Sequence, residues 1–174
     1  MPESRKIRMA IQNLSYCGGC EIAISDLGES LLSLLDEKVD LVYAPLFMSA
    51  KDYENVDVLL FTGCVRNEHE VEEVEKARKQ SKYLVSFGSC ASFGGVPGLA
   101  NLFGKEELLE NSYDSKTSGE NLESSTAVPK LVKTVKPIDE YVNVDFLLPG
   151  CPPPPPMIRE FLVKLMKKVK IEED

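Results

Sequence analysis

The sequence predicts an α/β fold built on a mainly parallel sheet. Short apolar runs rich in Val, Leu and Phe alternate with longer segments of helical spacing, a pattern typical of strands joined by helical crossovers. The apolar runs show little polar alternation, which indicates strands covered on both faces. At 174 residues and 43% hydrophobic content, the chain has the size of one domain and enough apolar surface for a core. We therefore expect a single domain over residues 1–174.

Three strands and two helices are predicted in the first half of the chain. Residues 6–14 are β-like, and residues 21–35 carry apolar side chains at roughly helical spacing, which predicts one helix. Residues 39–45 and 56–63 are short apolar runs bounded by turn residues, and we interpret both as strands. Residues 68–80 are highly charged with one narrow apolar stripe, which predicts a helix that packs on one side.

Two strands and a terminal helix are predicted in the second half. Residues 82–88 form a further apolar run, and residues 144–150 form the last one. An amphipathic helix follows over residues 157–169. Because proline is tolerated in a first helical turn, Pro155 or Pro156 can open that helix.

This order of elements predicts a doubly wound, flavodoxin-like sheet, because parallel strands joined by right-handed crossovers place helices on both faces. Between the predicted fourth and fifth strands the pattern weakens. Residues 110–125 are polar and rich in Ser, Asn and Gly, so we expect a surface loop or flap at about 105–128.

The charge balance and the absence of long apolar runs exclude several classes of function. The chain carries 28 acidic and 20 basic side chains, for a net charge of −8, so we expect no nucleic-acid partner. No run of about 18 apolar residues is present, and the first residues do not resemble a signal peptide. We therefore expect a cytoplasmic protein without direct membrane insertion. Five cysteines, an odd number, indicate reduced thiols with a metal or catalytic role rather than a disulfide framework.

The cysteines share one position relative to the predicted strands. Cys17, Cys64, Cys90 and Cys151 each follow the end of a strand, and Cys20 lies slightly further on, at the start of a helix. Open parallel sheets bind ligands outside the carboxyl ends of their strands, so all five thiols can meet at one edge. Neighbouring glycines let backbone N–H groups approach sulfur, and four thiolates are what a 4Fe-4S cluster requires. The placement favours such a cluster.

Other interpretations of these residues stay open at this point. A redox pair would explain Cys17 and Cys20 alone, whereas a structural zinc site usually contains two close pairs. Cys64 suits a buried small hydrophobic residue, a neighbour of the site or an alternative ligand. Glu21 is either a first-turn acid that interacts favourably with the helix dipole, or a proton-carrying or gating group beside the site. The single histidine, His69, lies among glutamates and is most simply a solvated helix residue.

Three motifs, CGGCEIAISDL, GSCASFGGVPGLAN and LPGCPPPP, occur in this order along the chain. Together they resemble the small subunits of nickel-iron hydrogenases and the related 20 kDa subunit of complex I. Within that family the chain is most similar to the proximal-cluster module of cytoplasmic methanogen-type hydrogenases, deazaflavin-reducing or non-reducing. Complex I subunits have adjacent cysteines at the first motif, so the two glycines between Cys17 and Cys20 favour the hydrogenase side.

The resemblance implies that Cys17, Cys20, Cys90 and Cys151 bind one proximal 4Fe-4S cluster next to the nickel-iron centre of a separate large subunit. It implies an electron-transfer subunit of an oxidoreductase complex, without catalytic residues of its own, that passes electrons between the large subunit and a further iron–sulfur or flavin subunit. We expect no medial or distal cluster, because a second set of four cysteines is absent from the sequence. The alternative is a complex I-like or hydrogenase-derived connecting subunit whose large partner contains no nickel.

Overall fold

A parallel five-stranded sheet forms the centre of the protein in a computed structural model that describes residues 5–112 and 129–171. In spatial order the strands are β2 (Val39–Tyr43), β1 (Ile7–Asn13), β3 (Val56–Thr62), β5 (Ser81–Phe87) and β7 (Phe146–Leu148). A separate antiparallel pair joins β4 (Val65–Asn67) to β6 (Leu131–Lys136). The predicted α/β fold with a mainly parallel, flavodoxin-like sheet is confirmed.

Helices connect these strands and cover both faces of the sheet. They are α1 (Gly19–Ser25), α2 (Glu29–Glu37), α3 (Glu68–Gln80), α4 (Ser89–Phe93), α5 (Lys105–Ser112) and α6 (Pro155–Ile171), with short 3-10 helices at Pro97–Leu102 and Ile138–Glu140. The helix α3 begins with a capping box formed by Asn67 and Glu70. The helix α6 begins at Pro155, as the tolerance of proline in a first turn predicts.

Two apolar layers hold the helices to the sheet. On one face, Ile24 of α1, Leu34 of α2 and Leu162 of α6 pack with side chains of β1, β2, β3, β5 and β7. On the other face, Val74 of α3 and Ile138 pack with residues of the same central strands. All seven residues of β3 are buried, which explains why five of them, Val56 and residues 58–61, are apolar without the alternation of a half-exposed strand.

The single helix predicted over residues 21–35 is wrong, because the structure contains two helices there. Gly28 adopts φ +55° and ψ −127°, which an α-helix cannot contain, and α2 starts directly after it. The apolar spacing is similar in both helices, so periodicity alone did not reveal the break. The strand predicted over residues 144–150 is reduced to Phe146–Leu148, and α6 is longer than predicted at both ends.

The region expected to form a polar flap is described only in part. Residues 105–112 form α5, and residues 113–128 lie outside the described part of the chain. Within residues 5–112 and 129–171, the helices are too short or too polar to cross a bilayer.

Candidate functional site

The five cysteines follow four adjacent strands of the main sheet. Cys17 and Cys20 come after β1, Cys64 after β3, Cys90 after β5 and Cys151 after β7. Because these strands are parallel neighbours, the cysteines lie along the edge formed by their carboxyl ends. Cys20 is in the first turn of α1 and Cys90 is in α4, whereas Cys17 and Cys151 are exposed loop residues.

Four of these thiols interact electrostatically. Burial raises the pKa of Cys20 to about 12, and the neighbouring thiols of Cys90, Cys17 and Cys151 contribute to the increase. Burial also raises the pKa of Cys90, with further contributions from Cys151 and Cys17, while a hydrogen bond from the Val96 backbone opposes it. Four thiolates at this edge therefore repel one another, and a bound cation or cationic cluster would remove that repulsion.

Glycine backbone lies directly against two of the sulfur atoms. A β-carbon at Gly88, which has φ +87°, would overlap the Sγ of Cys20. At Gly95, with φ +52°, a β-carbon would lie 2.7 Å from the Sγ of Cys90. Glycine is therefore required at both positions, because the backbone has a positive φ and because a β-carbon would not fit beside the thiol.

Cys64 has a different environment from the other four cysteines. It is fully buried, and its Sγ donates a weak hydrogen bond to the carbonyl of Ser15 at 3.6 Å. The backbones of the same two residues exchange hydrogen bonds of 3.1 and 3.3 Å. Burial, followed by the influence of Cys90 and Glu70, raises the pKa of the Cys64 thiol to about 12. The structure thus places Cys64 beside the edge, where its thiol contacts the protein backbone.

Glu21 is buried beside this edge, with only 1% of its surface exposed. The side-chain amide of Asn13 donates to its Oε1 at 3.4 Å, whereas Oε2 has no hydrogen-bond partner within the described residues. Burial raises the pKa of Glu21, although the side chains of Tyr16, Asn13 and Thr62 oppose the increase. Interpretation as a first-turn acid did not anticipate this burial, which depends on residues from two strands.

The remaining titratable candidate does not join the site. His69 lies in the first turn of α3 with 61% of its side chain exposed, and its Nδ1 is 4.0 Å from Oε2 of Glu72. Within the described residues, groups of three or more His, Cys, Asp or Glu side chains do not converge closely enough for a single metal ion.

An exposed apolar surface next to Cys90 was missed at the level of sequence. Five large side chains on α4 and the following 3-10 helix are 53–77% exposed: Phe93, Val96, Leu99, Leu102 and Phe103. We call these five residues the apolar surface. Residues 9–20, 83–104 and 146–158, which contain all the cysteines except Cys64, lack Asp, Glu, Lys and Arg entirely. That gap in a chain with 28% charged residues was the available signal.

The apolar surface is held in place by a pair of hydrogen bonds to β6. The side-chain Nδ2 of Asn101 donates to the carbonyl of Val135 at 2.8 Å, and the backbone N–H of Val135 donates to Oδ1 of Asn101 at 2.7 Å. This two-bond contact fixes the 3-10 helix that presents Leu99 and Leu102.

Comparison with known sequences identifies the family. The profile described as NADH ubiquinone oxidoreductase, 20 kDa subunit, matches residues 17–165. The chain belongs to this family. The family predicted from the three motifs is thus confirmed.

Its relatives in this family include hydrogenase subunits. The chain is 38% identical to a subunit of the F420-non-reducing hydrogenase Vhu of Methanocaldococcus jannaschii over 92% of its own length and 56% of the relative. It is 35% identical to the iron-sulfur subunit of an F420-non-reducing hydrogenase of Archaeoglobus profundus over 84% of its own length and 52% of the relative. The chain therefore spans about half the length of these curated relatives.

A solved structure matches the chain over nearly its full length. It is a chain from the crystal structure of an NAD+-reducing NiFe hydrogenase in the H2-reduced state, with a TM-score of 0.87 and 34% sequence identity. The match covers 94% of this chain and 93% of that one. The two chains therefore share the same fold over almost their whole lengths.

Proposed function

We propose that this family member is the electron-transfer small subunit of a cytoplasmic nickel-iron hydrogenase. In this proposal Cys17, Cys20, Cys90 and Cys151 hold one proximal 4Fe-4S cluster, which passes electrons between the active site of a large subunit and a further iron–sulfur or flavin subunit. The observation that carries the proposal is the grouping of these four cysteines at the carboxyl ends of β1, β5 and β7 in one parallel sheet, where Cys17 and Cys151 act electrostatically on both Cys20 and Cys90.

The donor set fits a cluster better than a single ion. In a 4Fe-4S cluster each thiolate binds a different iron, so the ligands surround the group rather than converge on one point. The glycine backbone at Gly88 and Gly95 leaves room beside the sulfur atoms of Cys20 and Cys90. When bound, the cluster would supply one-electron oxidation and reduction.

The residues of the chain supply ligands, shielding and proton release. Because burial and neighbouring thiols raise the pKa of Cys20 and Cys90, metal binding must displace protons from these thiols. Cys20 lies in the buried part of the site, which limits access of water to one side of the ligand set. Cys17 and Cys151 are exposed, so the other side of the ligand set is open to contact with a partner subunit.

The apolar surface supports a permanent partner at this edge. Its exposed Phe, Val and Leu side chains lie on or next to α4, the helix that carries Cys90, and the surrounding segments lack charged residues. Interfaces of obligate complexes are more hydrophobic than those of transient ones, and their cores are depleted in charge. We therefore assign the apolar surface to contact with the large subunit.

The proposal is tested by metal analysis of the native complex, purified without oxygen through a tag on this chain. We expect about one nickel per complex and about four irons assignable to this chain, which a Cys90→Ser variant should lose wholly or in part as the cluster is lost or converted. Iron without nickel would instead favour the complex I-like alternative, in which the large partner contains no nickel. A wild-type complex without iron would contradict the central claim.

A further inference from the structure

The segment between β3 and α3 holds Ser15, the residue two positions before Cys17, by several contacts. The backbone N–H of Ser15 donates to the carbonyl of Cys64 at 3.3 Å, and its own carbonyl accepts the N–H of Cys64 at 3.1 Å. Gly63 packs against the same point, since a β-carbon there would lie 2.9 Å from the Ser15 carbonyl. The end of β1 is thereby fixed to the loop after β3.

The side chain of Ser15 adds a contact with Glu70. The hydroxyl of Ser15 donates to Oε1 of Glu70 at 2.7 Å. The other carboxylate oxygen, Oε2, accepts the backbone N–H groups of Arg66 at 2.6 Å and Asn67 at 3.2 Å. A capping box consists of the two reciprocal bonds between Asn67 and Glu70, so the bond from Ser15 is additional to helix capping. Glu70 is only 9% exposed, which limits competition from water.

We propose that Glu70 is a positioning residue for Cys17 and acts through Ser15. Only three residues, Tyr16, Cys17 and Gly18, separate Ser15 from the start of α1. Since α1 is packed in the core and Ser15 is held by Glu70, both ends of this short loop are fixed. The exposed Cys17 therefore keeps one direction relative to Cys20 before metal is bound.

The proposal rests on the proposed function, because it concerns the retention of a cluster by Cys17. It goes beyond helix capping in one respect. If Glu70 acts only on α3, then removal of its cap partner Asn67 should have the same effect as removal of Ser15. If Glu70 acts through Ser15, then the two changes should differ at the cluster.

The test uses the complete complex with four variants: Ser15→Ala, Glu70→Ala, the combination of both, and Asn67→Ala. Ser15→Ala removes the hydrogen bond between Ser15 and Glu70 and keeps the capping box. Asn67→Ala removes the side-chain cap of α3 and keeps the hydrogen bond between Ser15 and Glu70. Two properties of the cluster are measured: the rate of iron loss to a chelator, and the electron paramagnetic resonance spectrum of the reduced cluster. Hydrogen exchange of the 15–19 amides reports on the loop independently of the metal.

We expect Ser15→Ala and Glu70→Ala to lose iron several-fold faster than wild type, with an altered spectrum and faster exchange at 15–19. Asn67→Ala should keep the wild-type spectrum and iron-loss rate. The double variant should lose iron no faster than Glu70→Ala alone, because residues that act in one path are not additive. Additive effects, equal effects of Asn67→Ala and Ser15→Ala, or a Ser15→Ala complex identical to wild type would overturn the inference. A wild-type complex without iron would instead contradict the proposed function.

Discussion

Gly88 lies so close to Cys20 that a β-carbon at position 88 would overlap the Sγ of that cysteine. Gly88 directly follows β5 and precedes Cys90, while Cys20 belongs to the first motif, so the contact joins two parts of the site that are 68 positions apart in sequence. The N–H of Gly88 also donates to the carbonyl of Leu148 at 2.8 Å, which connects the same point to the strand before Cys151. Gly88 therefore connects the three segments that carry Cys20, Cys90 and Cys151.

Gly88→Ala should reduce the iron content of the complex and destabilise the chain. The added methyl group meets sulfur, and φ +87° with ψ 161° is a conformation that almost only glycine adopts, at a cost of about 1–3 kcal/mol for alanine from the backbone alone. Gly98→Ala is the matched control, because a β-carbon there meets nothing within 4 Å. The measurement is iron per chain together with the unfolding midpoint. Wild-type values for both in Gly88→Ala would contradict the importance of this contact.

Cys151→Ser should lose or convert the cluster, while Cys64→Ser should keep the wild-type iron content. Cys151 is exposed at the edge and acts electrostatically on Cys20 and Cys90, whereas the thiol of Cys64 is buried against the Ser15 carbonyl. Iron and acid-labile sulfide analysis of the two variants checks the difference. Retention of a complete cluster in Cys151→Ser would remove that residue from the ligand set.

A strand or helix could be predicted from the sequence where its own residues carry the pattern that defines it. β3 and α3 could be predicted closely, because a fully buried strand is an apolar run and α3 carries its own capping box. The strands β4 and β6 were missed, since β6 is interrupted by lysines and β4 has only three residues. They are strands because they pair with each other, which no local pattern encodes.

The same difference between local patterns and contacts of distant residues applies to the site. The position of each cysteine after a strand could be predicted, because strand ends are visible in the sequence. The burial of Glu21 could not, since it depends on Asn13 of β1 and Thr62 of β3 meeting α1. The role of Glu70 likewise depends on contacts between residues 55 positions apart.

Cys64 should resist alkylation in the folded complex. The thiolate is the reactive form, and a pKa raised to about 12 lowers its fraction at pH 8 roughly a thousandfold relative to an ordinary thiol. Burial adds a steric barrier. Peptide mapping after iodoacetamide treatment at pH 8 should find Cys64 unmodified in the native protein and modified after denaturation in guanidinium. Rapid native modification of Cys64 would disagree with its burial.

Glu21→Gln should stabilise the protein more at pH 8 than at pH 5. Burial raises the pKa of Glu21, so the folded chain binds this proton more tightly than the unfolded chain. The stabilisation from the protonated form is complete below the ordinary glutamate pKa and is lost as pH rises through the raised value. Anaerobic guanidinium unfolding of both proteins at the two pH values measures the difference. The exposed first-turn Glu29→Gln is the control, and an equal gain at both pH values for Glu21→Gln would refute the prediction.

Leu102→Glu should weaken association with the large subunit and leave the fold of this chain unchanged. Leu102 is 77% exposed in the isolated chain, so the substitution alters its own stability by only about 0.5 kcal/mol or less. An unpaired carboxylate buried in an apolar interface costs several kcal/mol, and each 1.4 kcal/mol is roughly tenfold in affinity. We therefore expect at least a tenfold loss of affinity, measured by co-purification and by titration of the two subunits.

The control for this change is Leu32→Glu, at a residue of α2 that is 66% exposed and lies outside the apolar surface. It should co-purify with the large subunit as wild type does. Because the wild-type contact is apolar and its surroundings are uncharged, the complex should also persist at about 1 M salt, where charge-based contacts are screened. Wild-type association of Leu102→Glu, or dissociation of the wild-type complex by salt alone, would place the large subunit on another face of the chain.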